Sequence, residues 1–271
     1  MRRLAFCLWA VLLASSLSAQ CRFENHAFQT GEKLRYDMYF NWQFVWVKAG
    51  RVSMTISPCK QPSYKDEFQC DLLFEGNEKY KSAFTMNDTL VAIYSPDIVP
   101  RYFRKGALEG KRYTVDEVNY GYQGGQNHVL LNRWNSKGEL QSTRKSSDEC
   151  LFDMLSLLAR ARCINTNGLK KDQRITLNLC TGRSLEKETL VYRGKENVKA
   201  NDKNTYRCLV LSVLDYNEKK RDKELLRFYV TDDANHVPIR IDFFLRFGTA
   251  KAFLSQSEGL RNPIGAIIKS K

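Results

Sequence analysis

The chain has three histidines, His26, His128 and His236, and none stands at the spacing of a paired metal ligand. Structural zinc sites draw on clustered Cys and His, often as C-x-x-C pairs, and no such pair occurs among the eight cysteines. Neither a metal site nor a cofactor is expected. Nucleophilic catalysis needs a G-x-S-x-G elbow or a thiolate activated beside a histidine, and neither local pattern is present. Gly124-Gly125 lacks the Gly-Lys-Ser/Thr that would follow in a phosphate loop. The carboxylates Asp232 and Asp233 could do acid–base work, but beside Asn235 and His236 they read first as turn formers. A hydrolase acting on cell-wall or glycan substrates would have to assemble its groups from distant residues, so no catalytic residue is assigned.

Binding chemistry remains. Tyr36, Phe40, Trp42, Phe44 and Trp46 recur on alternate positions and share one face of an extended segment. That face either belongs to the core, as in any half-buried strand, or lines a cavity for an acyl chain or another apolar ligand. Arg101, Tyr102, Arg104 and Lys105, with Lys111 and Arg112 nearby, are candidates for a basic rim that meets an anionic headgroup, or for a strand edge guarded by charge. The formal net charge of +13 favours anionic partners or serves solubility alone. No nucleic-acid motif accompanies it, and none is expected as a partner. The leading expectation is a non-enzymatic protein that binds an apolar or amphipathic envelope component such as a lipid. The alternative is a structural or assembly factor that contacts another envelope protein or an acidic glycan.

The envelope enters through the first residues. Arg2 and Arg3 precede an apolar run from Leu4 to Leu17 and a small-residue exit at Ser18-Ala19, the layout of a signal peptide over 1–19. The run is too short to span a bilayer comfortably, and no other segment is long and apolar enough to do so. Export to a periplasmic or outer-envelope location is expected, with cleavage after Ala19. Lipid attachment at Cys21 is the weaker reading, because Gln20 is larger than the small residue that normally precedes a lipidated cysteine. Outside the cytoplasm disulfides can form, but the seven cysteines beyond Cys7 cannot all pair within one chain. Cys59–Cys70 across a hairpin and Cys180–Cys208 on neighbouring strands are the candidate bridges. Cys150 and Cys163 flank a predicted helix that would hold them ~20 Å apart, beyond disulfide reach.

The elements that must position these residues are mostly strands. From Leu34 to Trp46 every second residue is apolar, which predicts one long strand. Lys48-Ala49-Gly50 then predicts a turn, and Val52, Met54 and Ile56 a return strand. Further strands are predicted over 68–74, 89–94, 101–105, 112–119, 128–134, 174–180, 187–193, 206–216, 225–231, 237–247 and 250–256, with a solvated hairpin tip at 217–223. Ser146 and Glu149 match a capping box. Leu151, Met154, Leu155, Leu158 and Ala159 follow at helical spacing, and Asn167-Gly168 stops the run. The expected architecture is mainly β: antiparallel curved sheets, open or half-barrel, packed on one amphipathic helix. Two β-rich lobes, 20–145 and 169–271, would flank a central helix at 146–168.

Several of these segments resemble a known group. Gly31-Glu32-Lys33-Leu34-Arg35-Tyr36, Trp42 and Ala49-Gly50 resemble the opening of the exported bacterial family called domain of unknown function 3108. Pro100-Arg101-Tyr102-Phe103, Glu109-Gly110-Lys111 and Tyr113 are similar to its middle. Asp153-Met154-Leu155-Ser156 with Arg160 and Arg162 resembles its helix, and Thr231-Asp232-Asp233, Pro238, Gly248, Lys251 and Leu254 its closing strands. The resemblance spans nearly the whole mature chain. It implies an extracytoplasmic, mostly β protein with no established reaction. A curved sheet around a helix is also similar to periplasmic lipoprotein and lipid carriers, an analogy of fold that does not fix function.

Overall fold

Alternating side chains build one continuous sheet. The computed structural model describes residues 21–42, 45–80, 86–166, 168–215, 223–245 and 248–270, with Trp42 and Tyr80 described in backbone only. The predicted signal segment 1–19, Phe44 and most of the predicted tip 217–223 lie outside them. The strands are β1 (Lys33–Trp42), β2 (Val45–Pro58), β3 (Phe68–Gly76), β4 (Met86–Tyr94), β5 (Pro100–Glu109), β6 (Arg112–Gln123), β7 (Gln126–Trp134), β8 (Leu140–Ser147) and β9 (Leu151–Phe152). After helix α1 (Met154–Arg162) come β10 (Arg174–Cys180), β11 (Leu185–Lys199), β12 (Thr205–Asp215), β13 (Glu224–Thr231), β14 (Pro238–Leu245), β15 (Gly248–Glu258) and β16 (Ile267–Lys269). The order runs from β8 through β7 to β1, then from β15 through β14 to β9, with β16 pairing β12. Every pairing is antiparallel except β9 with β10. The predicted lobes are therefore two halves of one sheet, joined where β1 pairs with β2 on one side and β15 on the other.

The predicted long strand is instead a hairpin. β1 ends at Trp42 and β2 starts at Val45, with Trp46 opposite Asn41. The apolar alternation carries on through the connection, so periodicity gave no sign of the turn. Lys48-Ala49-Gly50 lies inside β2, where the register against β1 shifts between Met38 and Tyr39. A Cβ on Gly50 would stand 2.2 Å from the Glu75 carbonyl oxygen, so glycine lets β3 approach there. The polar strand β8 escaped the sequence reading because it pairs on one side only and is largely exposed; charge, not alternation, marks such an edge.

The helix also differs. Residues 146–147 close β8 and 151–152 form β9 with a bend between them, Ser146 on β8 bonds His128 Nδ1 at 2.8 Å, and α1 is nine residues long. Asp153, not Ser146, is the cap: its Oδ1 accepts from the Leu155 and Ser156 amides at 2.9 Å, and Ser156 Oγ accepts from the Asp153 amide at 2.9 Å. Asp and Ser both serve at this position, so two boxes competed in the sequence. Leu155 and Ala159 are buried in the main core with Tyr94, Phe103 and Leu131.

One end of the sheet, where β1 begins, is plugged. Ala27, Phe28 and Ala266 from the two terminal segments are buried there. Arg261 and Asn262 donate to the carbonyls of Asn25 and His26 at 2.6 and 3.0 Å. Arg162, at the end of α1, is 1% exposed and meets the fully buried Glu32 at 2.5 and 3.0 Å. Its remaining donors reach the Asn235 carbonyl at 3.1–3.2 Å. Burial alone would lower the Arg162 pKa, but Glu32 more than offsets this and holds the guanidinium charged.

The cysteines need the largest correction. Cys21 is bonded to Cys150, and Cys59, Cys70, Cys163, Cys180 and Cys208 are free and buried. Cys70 pairs with Ile56, three residues before Cys59, which puts ~10 Å of strand between the proposed partners. Cys180 and Cys208 have β11 between them, opposite Leu185 and Glu196, so about 35 Å of strand as well as two strand spacings separates them, far beyond disulfide reach.

Candidate functional site: an exposed rim and two open grooves

The predicted ligand residues separate into three environments. Leu34 and Tyr36 are core, 0% and 4% exposed, and burial raises the Tyr36 phenol well above its usual range. Phe40 is half-buried: a Cβ on its neighbour Gly248 would stand 3.0 Å from the Phe40 ring. Trp46 is 42% exposed, and Lys251 Nζ lies 4.6 Å from its ring centroid. Phe44 and the Trp42 side chain fall outside the described residues. Among the described residues the aromatic series therefore runs from the buried Tyr36 through Phe40 to the exposed Trp46.

The rim has a clear composition. Register places the connections after β1, β3, β5, β7, β10, β12 and β14 at the same end of the sheet, opposite the plug. Five large apolar residues are exposed close to that end: Val45, Trp46, Tyr113, Leu140 and Leu245. Val45 and Trp46 open β2, and Leu245 closes β14. β1 and β15 lie between them and bring both hairpins to one side of the rim.

The predicted basic cluster is divided. Arg101 Nε donates to Glu67 at 2.9 Å. Lys105 shares the Phe103 side of β5 and stands 3.8 Å from Asp88, whose carboxyl burial pushes up. Tyr102 and Arg104 point to the opposite face: Tyr102 Oη donates to Glu117 at 2.8 Å and Arg104 to the Tyr113 hydroxyl at 3.3 Å. Alternation along β5 sends neighbours to opposite faces, so adjacent basic residues do not form one patch.

Two open grooves accompany the rim. One, about 520 Å³, is lined by Arg104, Tyr113, Val115, Glu117 and Trp134. The other, about 760 Å³, crosses β1, β2 and β15 beside Arg35, Tyr36, Asp37, Lys48 and Arg51. It is polar, with Lys48 on Asp37 at 2.5 Å and Arg35 on Gln256 at 2.7 Å. Burial pushes the Asp37 carboxyl up, but hydrogen bonds from Lys48 and Asn201 outweigh it and leave its pKa below the ordinary value.

The remaining titratable groups have structural tasks. Asp232 accepts from Lys195 and Arg207 at 2.8 and 2.7 Å, and Asp233 from Thr231 and the Asn235 amide at 2.7 and 3.0 Å. His236 Nδ1 lies 2.6 Å from the Arg162 carbonyl; a carbonyl only accepts, so Nδ1 carries a proton. Burial lowers the His236 pKa. Among the described residues no group of three His, Cys, Asp or Glu could hold a metal ion, and no helix is long and apolar enough to cross a membrane.

A family model described as a protein of unknown function, DUF3108, matches residues 35–255. The chain belongs to the DUF3108 family. No curated protein matches it in sequence. The DUF3108 chain is similar in fold to a β-barrel-like protein of domain of unknown function DUF1849 from Brucella abortus, at TM-score 0.54 and 11% identity, over 88% of this chain and 98% of that one. A protein described as exported, with a YmcC-like fold, from Bacteroides fragilis scores 0.34 at 9% identity, over 88% and 100% of the two chains. One described as a lipoprotein from Parabacteroides distasonis scores 0.29 at 8%, over 88% and 99%. At those two scores neither bears on fold or function.

Sequence reading missed one unusual carboxylate. Glu188 on β11 is 4% exposed, pairs in register with Leu177 and Asp215, and has one oxygen without a hydrogen-bond partner among the described residues. Burial first, then repulsion from Asp215 and Glu186, pushes its pKa from 4.5 to about 7. The folded state thus holds this proton more tightly than the unfolded chain. The resulting penalty is absent below about pH 4.5, grows up to about pH 7, and is full above it. At ~1.4 kcal/mol per pKa unit, the full penalty is on the order of 3–4 kcal/mol. Glu188→Gln should therefore flatten the fall in stability between those pH values and gain most at pH 8. Urea titrations of both proteins across that range check it; parallel curves would contradict the assignment.

Proposed function

We propose that this chain is an exported envelope protein without a catalytic centre that contacts an amphipathic envelope component, such as a lipid, through its exposed rim. The observation that carries this reading is the group Val45, Trp46 and Leu245, exposed together with Lys251 over the Trp46 ring. An indole beside an ammonium suits the headgroup level of a lipid surface, where one part is apolar and the other wet. Without Arg2 and Arg3 of the leader the net charge is still 13 − 2 = +11, which adds attraction to anionic headgroups. Leu34 and Tyr36 are occupied as core, which favours contact at the rim over an acyl chain held inside the sheet.

Export is supported by the signal layout of 1–19 and by the Cys21–Cys150 disulfide, which suits an oxidising compartment. The same bond occupies the sulfur that lipid attachment at Cys21 would need, which favours cleavage after Ala19. The test is co-sedimentation with vesicles of phosphatidylcholine alone or mixed with phosphatidylglycerol. The protein should bind the mixed vesicles and bind them about tenfold more weakly as Trp46→Ala or Lys251→Glu, the order of one well-placed contact. Absence of wild-type binding, or variants that bind equally well, would remove the proposal.

A further inference from the structure

Independently of the rim, we infer that the groove on the outer face of β5, β6 and β7 is a saccharide-binding site. Tyr113, 47% exposed, and the half-buried Trp134 line it with Val115, Arg104 and Glu117. Sugar rings present flat C–H faces that pack on aromatic rings, and hydroxyls at their edges that exchange hydrogen bonds with planar side chains. Both partners are here, and the polar ones are held in place. Glu117 accepts from Tyr102 at 2.8 Å, Asn119 at 3.1 Å and Asn132 at 3.3 Å, and Ser142 in turn donates to Asn132 at 2.8 Å. Arg104 and Glu117 stand opposite in register without an ion pair. The guanidinium carries five N–H donors, and its hydrogen bond to Tyr113 at 3.3 Å leaves others for a ligand.

The floor is shaped for this purpose by Gly106. A Cβ there would lie 2.6 Å from the Tyr113 hydroxyl, 3.0 Å from Thr89 Oγ1 and 3.3 Å from an Arg104 nitrogen, so a side chain at this position would push the Tyr113 hydroxyl off its seat beside Arg104. Other ligand classes fit less well. β5, β6 and β7 are each paired on both sides, so an extended peptide finds no edge to extend. An acyl chain would desolvate Arg104 and Glu117 without replacing their hydrogen bonds. The Arg104 donors favour a sugar that bears a carboxylate over a neutral one.

Titration of the full chain with maltotriose and with trigalacturonate, followed by the Trp134 indole N–H resonance, tests the site. Saturable binding with Kd on the order of 0.1–1 mM is expected for at least one sugar, the trigalacturonate being the tighter. Tyr113→Ala and Gly106→Ala should each weaken it about tenfold while melting within a few degrees of wild type. Trp134→Leu, which lacks that resonance and is followed by titration calorimetry, provides a third variant, and the exposed Tyr113 keeps the test decisive if Trp134 proves necessary for folding. No saturation by either sugar up to about 10 mM, or binding unchanged in Tyr113→Ala, overturns the inference.

Discussion

Arg162→Met should cost about 3–5 kcal/mol of folding stability, the largest effect expected for any single substitution in this chain. The reason is the Glu32 it leaves behind. Glu32 is 0% exposed and both its oxygens meet the guanidinium, so the variant strands a charge in the interior. Arg162 also ties the Asn235 carbonyl and the Ala27 carbonyl to the end of α1, so terminal segment, helix and β13–β14 turn come loose together. The double variant Glu32→Leu/Arg162→Met removes both charges and should recover much of the loss, since apolar replacements of similar volume are often tolerated. Chemical denaturation of the three proteins measures it. A single variant within about 1 kcal/mol of wild type would show that the pair carries little.

Loss of the Cys21–Cys150 bond is the second large effect. The link closes a sequence separation of 129 residues, and chain-entropy accounting for a loop of that size gives up to ~5 kcal/mol, with measured values more often about 2–4. It also holds the start of the described chain beside β9 and the plug, where Phe23 packs on Phe152 with ring centroids 5.9 Å apart and Arg160 lies over Phe23. Cys21→Ala/Cys150→Ala should therefore lower stability by about 2–5 kcal/mol and loosen residues 21–31 first, as hydrogen exchange at Ala27 and Phe28 would show. Peptide mapping without reduction should recover Cys21 joined to Cys150 and alkylate the other five cysteines only after unfolding, because all five are buried. Bridges at Cys59–Cys70 or Cys180–Cys208 in that map would reverse the assignment.

Much of the fold was legible because a strand writes its burial into alternate residues. Arg174–Cys180 was predicted to the residue, and most other strands were found within a few residues of their ends. The misses have common causes. A hairpin connection that preserves the alternation is invisible to it, so β1 and β2 fused into one strand. Asp153 and Ser146 both satisfy capping rules, and only the pairing of β8 and β9 decides between them. The site was less legible. Trp46 was read as the end of one long strand, whereas it opens β2, and its exposure depends on which side of the turn it falls. Tyr113 and Trp134 carry no sequence signal, because their proximity comes from the register of β5, β6 and β7 across one face. Glu188 was missed for a similar reason: its burial comes from the strands on either side of β11.

The amino-acid sequence by itself determined what is local: a basic, β-rich chain with a short apolar run near its start, one amphipathic helix and no local motif for catalysis. Tertiary structure alone decided which distant residues meet. The Glu32–Arg162 pair, the Cys21–Cys150 bond, the rim of Val45, Trp46 and Leu245, and the groove over Gly106 each join residues far apart in the chain or on separate strands. Side-chain periodicity is a property of neighbours and survives in one dimension. Strand order and register are set by the packing of the whole sheet, where a shift of one residue would turn every side chain to the other face.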